Sequence, residues 1–360
     1  MSAPDRADRL AERLRERELD ALLVTNLVNI RYLTGFTGTN ALCLVGDGLR
    51  AFITDFRYVE QADREVSGFD RAQGERDMLG DVRDLLAGAG AGRVGFEDHD
   101  MSVHRHGRLR AALPDSVELE PAGRVVERLR EVKDEDEVAA IRAAAELATE
   151  VLEQLREEGF RGRTEAAVAH DFEAQMRARG AEPAFPTIVA AGRSGALPHA
   201  TPGDAAVLPG SLVVVDFGCL LDGYCSDCTR TLASGEPPDE AVAVYELVLR
   251  AQELALDAVR AGAGCREVDA IAREVIAEAG HGDRFGHGLG HGVGLEVHEG
   301  PRLTQSAEES ERLEAGNVVS VEPGVYLPGE LGVRIEDLVV VRDTGPEVLT
   351  SFPKTLTIVE

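Results

Sequence analysis

The chain has no run of about 18 consecutive apolar residues, so no segment reads as a membrane span. Its first twenty residues are dense in Arg, Asp and Glu and lack the apolar stretch of a secretory leader, so the cytoplasm is the expected compartment. Positive charge is scarce: 38 basic residues stand against 65 acidic ones, the formal net charge is −27, and Lys133 and Lys354 are the only lysines. Nucleic acid and anionic lipid are bound through Lys and Arg, so neither is expected as a partner. The acidity itself reads as a heavily solvated surface. Cysteine is sparse too: five is an odd number, without the spacing of a disulfide framework. Cys225 and Cys228 form a lone C-x-x-C with no second ligand pair nearby. It falls in a strand-like stretch rather than at a helix start, so it reads as structural rather than zinc-binding or redox-active.

What is present suffices for two domains. The 360 residues with 44% hydrophobic content allow each half to bury its own core. The first half alternates element types. Helical periodicity over Ala7–Arg17, Tyr58–Val66, Met78–Ala87 and Val103–Leu113 interleaves with strand-like runs at Ala21–Val24, Asn40–Val45, Ala51–Thr54, Arg93–Glu97 and Val117–Leu119. That pattern predicts an α/β domain over residues 1–128. Val125–Lys133 reads as a join to a second domain, residues 129–360. Two helices open it, Asp134–Glu158 and Thr164–Arg179, with Thr164 as N-cap. Asp222-Gly223 predicts a hairpin pairing Leu212–Leu220 with Tyr224–Leu232, which folds Asp216 back towards Asp227. Helices follow at Asp239–Arg260 and Cys265–Ala279. Phe285–Gly300 is too glycine-rich to be helical, and Val318–Val321 and Val333–Val341 are the last strands. Helices flanking a mostly antiparallel sheet predict an α+β domain.

Chemistry-bearing residues concentrate between Asp216 and Glu336. Acids end or interrupt the apolar runs Leu212–Asp216, Val318–Glu322 and Val333–Val341, while Asp227 and His291 complete the set. A carboxylate on a buried strand needs a compensating cation. An oxygen-rich site with one nitrogen suits Mn²⁺, Co²⁺ or Zn²⁺, and so many acids exceed one tetrahedral zinc. A pair of divalent ions sharing carboxylates, as used to activate water for hydrolysis, accounts for the number. Charge balance first, and the resemblance given below second, lead us to expect Asp216 on one ion, Asp227 and Glu336 bridging both, and His291 and Glu322 completing the other. A zinc-helix reading of His287 and His291 fails, because Gly288 stands where that motif needs Glu and Gly290 and Gly292 oppose a helix. Arg334 has the strand parity of Glu336, which predicts one shared face and a guanidinium bracing a carboxylate ligand.

In order and spacing, Asp216-Phe217-Gly218, Asp227-Cys228-Thr229-Arg230-Thr231, His287 through Gly294, Glu322-Pro323-Gly324 and Arg334-Ile335-Glu336 resemble the pita-bread metallopeptidases. That family includes methionine aminopeptidase, aminopeptidase P and prolidase. Arg31–Phe36 and Asp55–Tyr58 resemble segments of the N-terminal domain of prolidase and aminopeptidase P, which in that family builds the dimer. The resemblance implies an α/β N-terminal domain followed by an α+β pita-bread (creatinase/aminopeptidase-like) catalytic domain, a homodimer, and two divalent ions per subunit, Mn²⁺ ahead of Co²⁺ or Zn²⁺. It makes His291 rather than His287 the ligand and leaves His287 in the substrate shell. His199 and His298 match positions that bind the substrate carbonyl and stabilise the oxyanion, and Glu322 is expected to relay a proton to the leaving nitrogen. The two-domain layout implies a peptide substrate with proline second, cleaved as an Xaa-Pro dipeptide or, alternatively, by an Xaa-Pro aminopeptidase on longer peptides. Metal-free creatinase-like hydrolases and non-catalytic binding modules of the same fold lose ligands, whereas this chain keeps all five.

Overall fold

Side-chain caps and two periodicities account for most elements of the computed structural model, which describes residues 2–360. It divides into two compact units, one ending at Arg130 and the other Glu131–Glu360. In the first, Ser2 and Asp5 form a reciprocal capping box for α1 (Ala3–Glu16), whose Leu10 and Leu14 are buried. Then follow β1 (Ala21–Val24), α2 (Leu27–Thr34), β2 (Ala41–Gly46), β3 (Leu49–Thr54), α3 (Val59–Glu65), β4 (Asp70–Gln73), α4 (Leu79–Ala89), β5 (Arg93–Phe96), α5 (Val103–Ala112) and β6 (Glu118–Pro121). The strands form one mixed sheet in the order β4-β3-β2-β1-β5-β6.

Three features of this half depart from the sequence expectations. Helix α2 was not anticipated, although Asn26 caps it through Val28 and Asn29 and Gly35 closes it in the left-handed conformation. Strand β4 is a polar edge strand without alternation, paired with β3. The expected join is partly helical, α6 (Val125–Glu131).

In the second unit Asp134 and Glu137 box the start of α7 (Glu135–Glu158), and Thr164 caps α8 (Glu165–Ala178). Then come β7 (Glu182–Pro183), β8 (Ile188–Ala191), β9 (Ser211–Phe217), β10 (Cys219–Leu221), β11 (Tyr224–Cys225), β12 (Cys228–Ser234), α9 (Asp239–Ala258), α10 (Cys265–Glu278), β13 (Gly290–Gly292), β14 (Glu299–Leu303), β15 (Val318–Val321), β16 (Gly324–Leu327), β17 (Leu331–Arg334), β18 (Asp337–Arg342), β19 (Gly345–Val348) and β20 (Ile358–Val359). Two mainly antiparallel sheets matter for the site, β20-β12-β9-β8 and β14-β13-β15-β18-β19. Val151, Leu152 and Phe172 of α7 and α8 pack on Val213, Val215 and Phe217 of the first sheet. Val248, Ala255, Ala272 and Ile276 of α9 and α10 pack against Val319 and Val339 of the second. Among the described residues no helix is long and apolar enough to cross a membrane.

Two strand expectations need correction. The hairpin turns at Asp222-Gly223, both with positive φ, but its ladder is broken: β10 pairs with β11, and β9 pairs separately with β12. At the break Gly218 packs onto backbone, where an added Cβ would lie 2.0 Å from the Ser226 carbonyl oxygen. Asp227 therefore sits outside the ladder. Likewise Val333–Val341 is two strands. β17 pairs with β16 while β18 pairs with β15 and β19, so the chain changes sheet at Ile335 and Glu336. Strand parity does not govern Arg334 and Glu336.

Beneath this crossing lies Arg230, 1% exposed, which donates to the carbonyls of Glu336 and Phe352 and to Asp337 Oδ1 at 2.9 Å. Arg230→Met leaves those acceptors short of a buried cation and is expected to cost about 3 kcal/mol of stability, read from the urea midpoint. An unchanged midpoint would show that the crossing does not depend on it.

Candidate metal centre

Asp216 stands on β9 opposite Thr229 of β12, and Asp227 lies in the ladder break just before β12. His291 is on β13, Glu322 follows β15, and Glu336 occupies the crossing between β17 and β18. One ligand atom from each of Asp216, Asp227 and Glu336 lies within 4.8 Å of the other two. His291 Nε2 is 3.2 Å from Glu322 Oε1 and 3.7 Å from Asp227 Oδ2. Asp227 thus belongs to both groupings. All five line one cavity of about 630 Å³, together with His199, His287, His298 and Arg334, so every site residue chosen from the sequence faces the same space.

The electrostatics divide the acids. Burial raises the carboxyls of Asp216, Asp227 and Glu336 above the ordinary range, and repulsion from neighbouring acids pushes Asp227 and Glu336 further. Burial is the largest single effect on Glu322 and would raise it, but the hydrogen bond and charge of His291, with the charges of His287 and Arg334, together outweigh it and the carboxyl is lowered. His291 shows the reciprocal effect: burial alone would depress it, and Glu322 raises it. Burial lowers His287 and, with the charge of His291 added, His298. The His291 and His298 ring centroids are 4.4 Å apart.

The side-chain donor set fits divalent metal. Asp216 Oδ1, Asp227 Oδ1 and Glu336 Oε1 are buried and accept no hydrogen bond. Such lone pairs are costly without a cation. His291 Nδ1 lies 3.1 Å from the Gly292 carbonyl, which places a proton there and turns Nε2 towards Glu322 and Asp227. A neutral ring would aim its lone pair at two carboxylates. A metal ion, or a proton shared between the ring and a carboxylate, relieves that arrangement.

Residues 139–343 match metallopeptidase family M24, and residues 6–132 match the creatinase/prolidase N-terminal domain. The chain belongs to family M24. It is 34% identical to an Xaa-Pro dipeptidase of Pyrococcus furiosus over 358 residues, covering 98% of this chain and 99% of the relative. The structure superposes on an Xaa-Pro dipeptidase from Bacillus anthracis with a TM-score of 0.96 at 38% identity, covering 99% and 100% of the two chains. It also matches an X-Pro aminopeptidase from Thermotoga maritima, TM-score 0.90 at 36% identity, covering 98% and 100%. This M24 peptidase therefore has the pita-bread fold behind a creatinase-type N-terminal domain.

Several groups that hold the M24 site together were not singled out from the sequence. Thr229 Oγ1 donates to Glu336 Oε2 at 2.8 Å and accepts from Arg334 Nε at 3.1 Å. Arg334 also donates to Asp216 Oδ2 at 2.6 Å, which identifies Asp216 as the carboxylate it braces. Its Nη1 reaches the Tyr326 hydroxyl and the Pro198 carbonyl, one residue before His199. Tyr326 in turn meets His287 Nε2 at 2.9 Å. Ser320 Oγ accepts from the His291 backbone and donates to Glu322 Oε1. Thr229 lay within the quoted motif; nothing local marks Tyr326 or Ser320.

Acids with raised pKa favour the fold when protonated. In metal-free protein their contribution is full below the ordinary carboxyl value, about 4, and is lost as pH rises through their raised values. Chelator-treated Asp227→Asn is therefore expected to melt at least about 2 °C above chelator-treated wild type at pH 7.5. Added Mn²⁺ should raise the wild type and do little for the variant. Equal melting of the two metal-free proteins would contradict the repulsion.

Proposed function

We propose that this M24 peptidase cleaves the peptide bond before proline and that Xaa-Pro dipeptides are its first substrates. The observation that carries the reading is the set of buried, unpartnered oxygens of Asp216, Asp227 and Glu336, collected in one cavity with His199, His291 and His298. The donors suit two divalent ions: Asp216 on one, His291 and Glu322 on the other, Asp227 and Glu336 shared. Mn²⁺ is the first choice, with Co²⁺ and Zn²⁺ as alternatives. Such ions, when bound, lower the pKa of an attacking water and polarise the scissile carbonyl.

The chain's own groups supply the rest. Glu322, at the edge of the cluster 3.2 Å from His291, is assigned the proton of the attacking water and its delivery to the proline nitrogen, which cannot leave as an anion. His298 and His199 donate to the carbonyl oxygen as it gains negative charge. Arg334 holds Asp216 and, through the Pro198 carbonyl, the segment bearing His199. A proline nitrogen in peptide linkage has no N–H, so a site that needs no donor there accepts a bond that most peptidases refuse.

Arg302 favours the dipeptide. It lines the cavity and makes no side-chain hydrogen bond or ion pair among the described residues, whereas Arg334 is fully engaged. A dipeptide places a free carboxylate next to the scissile bond, and a guanidinium is its natural partner. Cleavage of longer Xaa-Pro peptides is the second reading, favoured by the similarity to the Thermotoga X-Pro aminopeptidase. We take residues 1–128 and 129–360 as the two domains. Five buried cysteines without the spacing of a disulfide framework suit a reducing cytoplasm, and a homodimer is expected from the resemblance of the N-terminal half.

A Mn²⁺-supplemented assay of Ala-Pro, an Ala-Pro-Yaa tripeptide and Met-Ala tests the reading. Ala-Pro is expected to be cut fastest and Met-Ala not at all; the reverse order would overturn it. Arg302→Leu should raise KM for Ala-Pro about 10-fold with kcat little changed and leave the tripeptide unaffected, since a charge-assisted bond contributes about 1.5–3 kcal/mol. Asp227→Asn should abolish turnover, and retained activity would refute a bridging role.

A further inference from the structure

Among 38 basic residues only Lys133 and Lys354 are lysines. Each is paired with a buried acid that directly follows a residue of the site. Lys354 Nζ is 2.8 Å from Asp337, the neighbour of Glu336, and Lys133 Nζ is 3.1 Å from Glu299, the neighbour of His298. The second pair is almost dry, with side chains 1% and 5% exposed.

Glu299 organises the turn that presents His298. Its Oε1 accepts the Glu296 backbone N–H at 3.0 Å while Oε2 takes Lys133, and its backbone lies opposite Gly292 on β13. Gly294 leaves room for this: an added Cβ would stand 2.7 Å from Glu299 Oε2. The Gly294 N–H closes the turn on the Glu296 carbonyl at 3.0 Å. The whole segment from Gly292 to Glu299 is thus wrapped on one carboxylate, and that segment carries His298 back beside His291. Lys133 is itself held. Its N–H donates to the Gly316 carbonyl at 2.9 Å, and Val132 bridges Asn317, immediately before β15, the strand that Glu322 follows.

We propose that Lys133 is a positioning residue of the reaction: through Glu299 it fixes His298 relative to the Glu322 strand, without itself touching substrate. This rests on the reading of His298 as a donor to the scissile carbonyl. A displaced donor loses orientation rather than charge, so the loss should fall on kcat more than on KM.

The test is a double-mutant cycle on the Mn²⁺-loaded full chain with Ala-Pro, comparing wild type, Lys133→Met, His298→Ala and the double variant. Lys133→Met is expected to lower kcat about 10-fold in the wild-type background and less than about 2-fold when His298 is already absent. The same factor in both backgrounds, or no loss in either, overturns the proposal. Should Lys133→Met fail to fold because Glu299 is left buried and charged without the lysine, the paired change Lys133→Met with Glu299→Leu removes both charges and takes its place in the cycle. A second arm needs no substrate. In metal-free protein labelled at histidine with ¹⁵N, the His298 imidazole signals should shift in the lysine variant and those of His170 should not. Unshifted His298 signals refute the link. An enzyme inactive on Ala-Pro that nevertheless shows the shift refutes the peptide reading alone. Undiminished kcat in His298→Ala refutes the role of His298, and this proposal with it.

Discussion

Repulsion among buried carboxylates is the constraint from which the rest of the catalytic unit follows. Asp216, Asp227, Glu322 and Glu336 face one cavity, and taking charged oxygens out of water is affordable only where positive charge meets them. The chain provides that charge unevenly. Arg334 pairs with Asp216 and His291 with Glu322, while no arginine or lysine forms an ion pair with Asp227 or Glu336 among the described residues. Those two are also the acids whose pKa values are pushed furthest up. The deficit lies in the middle of the group, where ions shared between carboxylates would offset it.

Holding such groups together requires a rigid frame, and the frame is made where the regular pattern stops. The two ladder breaks, at Gly218 with Ser226 and at Ile335 with Glu336, release Asp227 and Glu336 from the alternation of a strand and let both aim at Asp216. Close backbone approach at Gly290, where a Cβ would stand 1.9 Å from the Ser320 carbonyl oxygen, lets β13 bring His291 beside β15. Two hydroxyls then each tie a pair of groups, Thr229 between Glu336 and Arg334 and Ser320 between His291 and Glu322. A site fixed this way needs little reorganisation when charge develops on a substrate.

Much of this was legible in the residues. Capping pairs such as Asp134 with Glu137, the Asp222-Gly223 turn and the apolar runs ending in acids located the elements, and the acid and histidine series identified which side chains converge. The failures share a cause. Reading Leu212–Leu220 and Val333–Val341 as continuous strands assumed that hydrophobic alternation reports one unbroken ladder, but an apolar run stays apolar when the chain passes between sheets. Helix α2 escaped because its burial pattern is short and uneven, leaving only Asn26 and Gly35 as signals. Tyr326, Ser320, Arg302 and Lys133 carry no local mark, since their importance depends on what stands opposite them.

The sequence by itself determined most of the element types, the helix boundaries set by caps and the chemical kind of the candidate site, oxygen-rich with one imidazole. These are short-range properties: a cap acts within one turn and an apolar period within a few residues. Tertiary structure alone decided which oxygens are left without partners, and that Thr229 and Glu336 meet across a separation of 107 residues. Desolvation and Coulomb energy depend on distance through space, and distances between segments so far apart along the chain exist only once both sheets have formed.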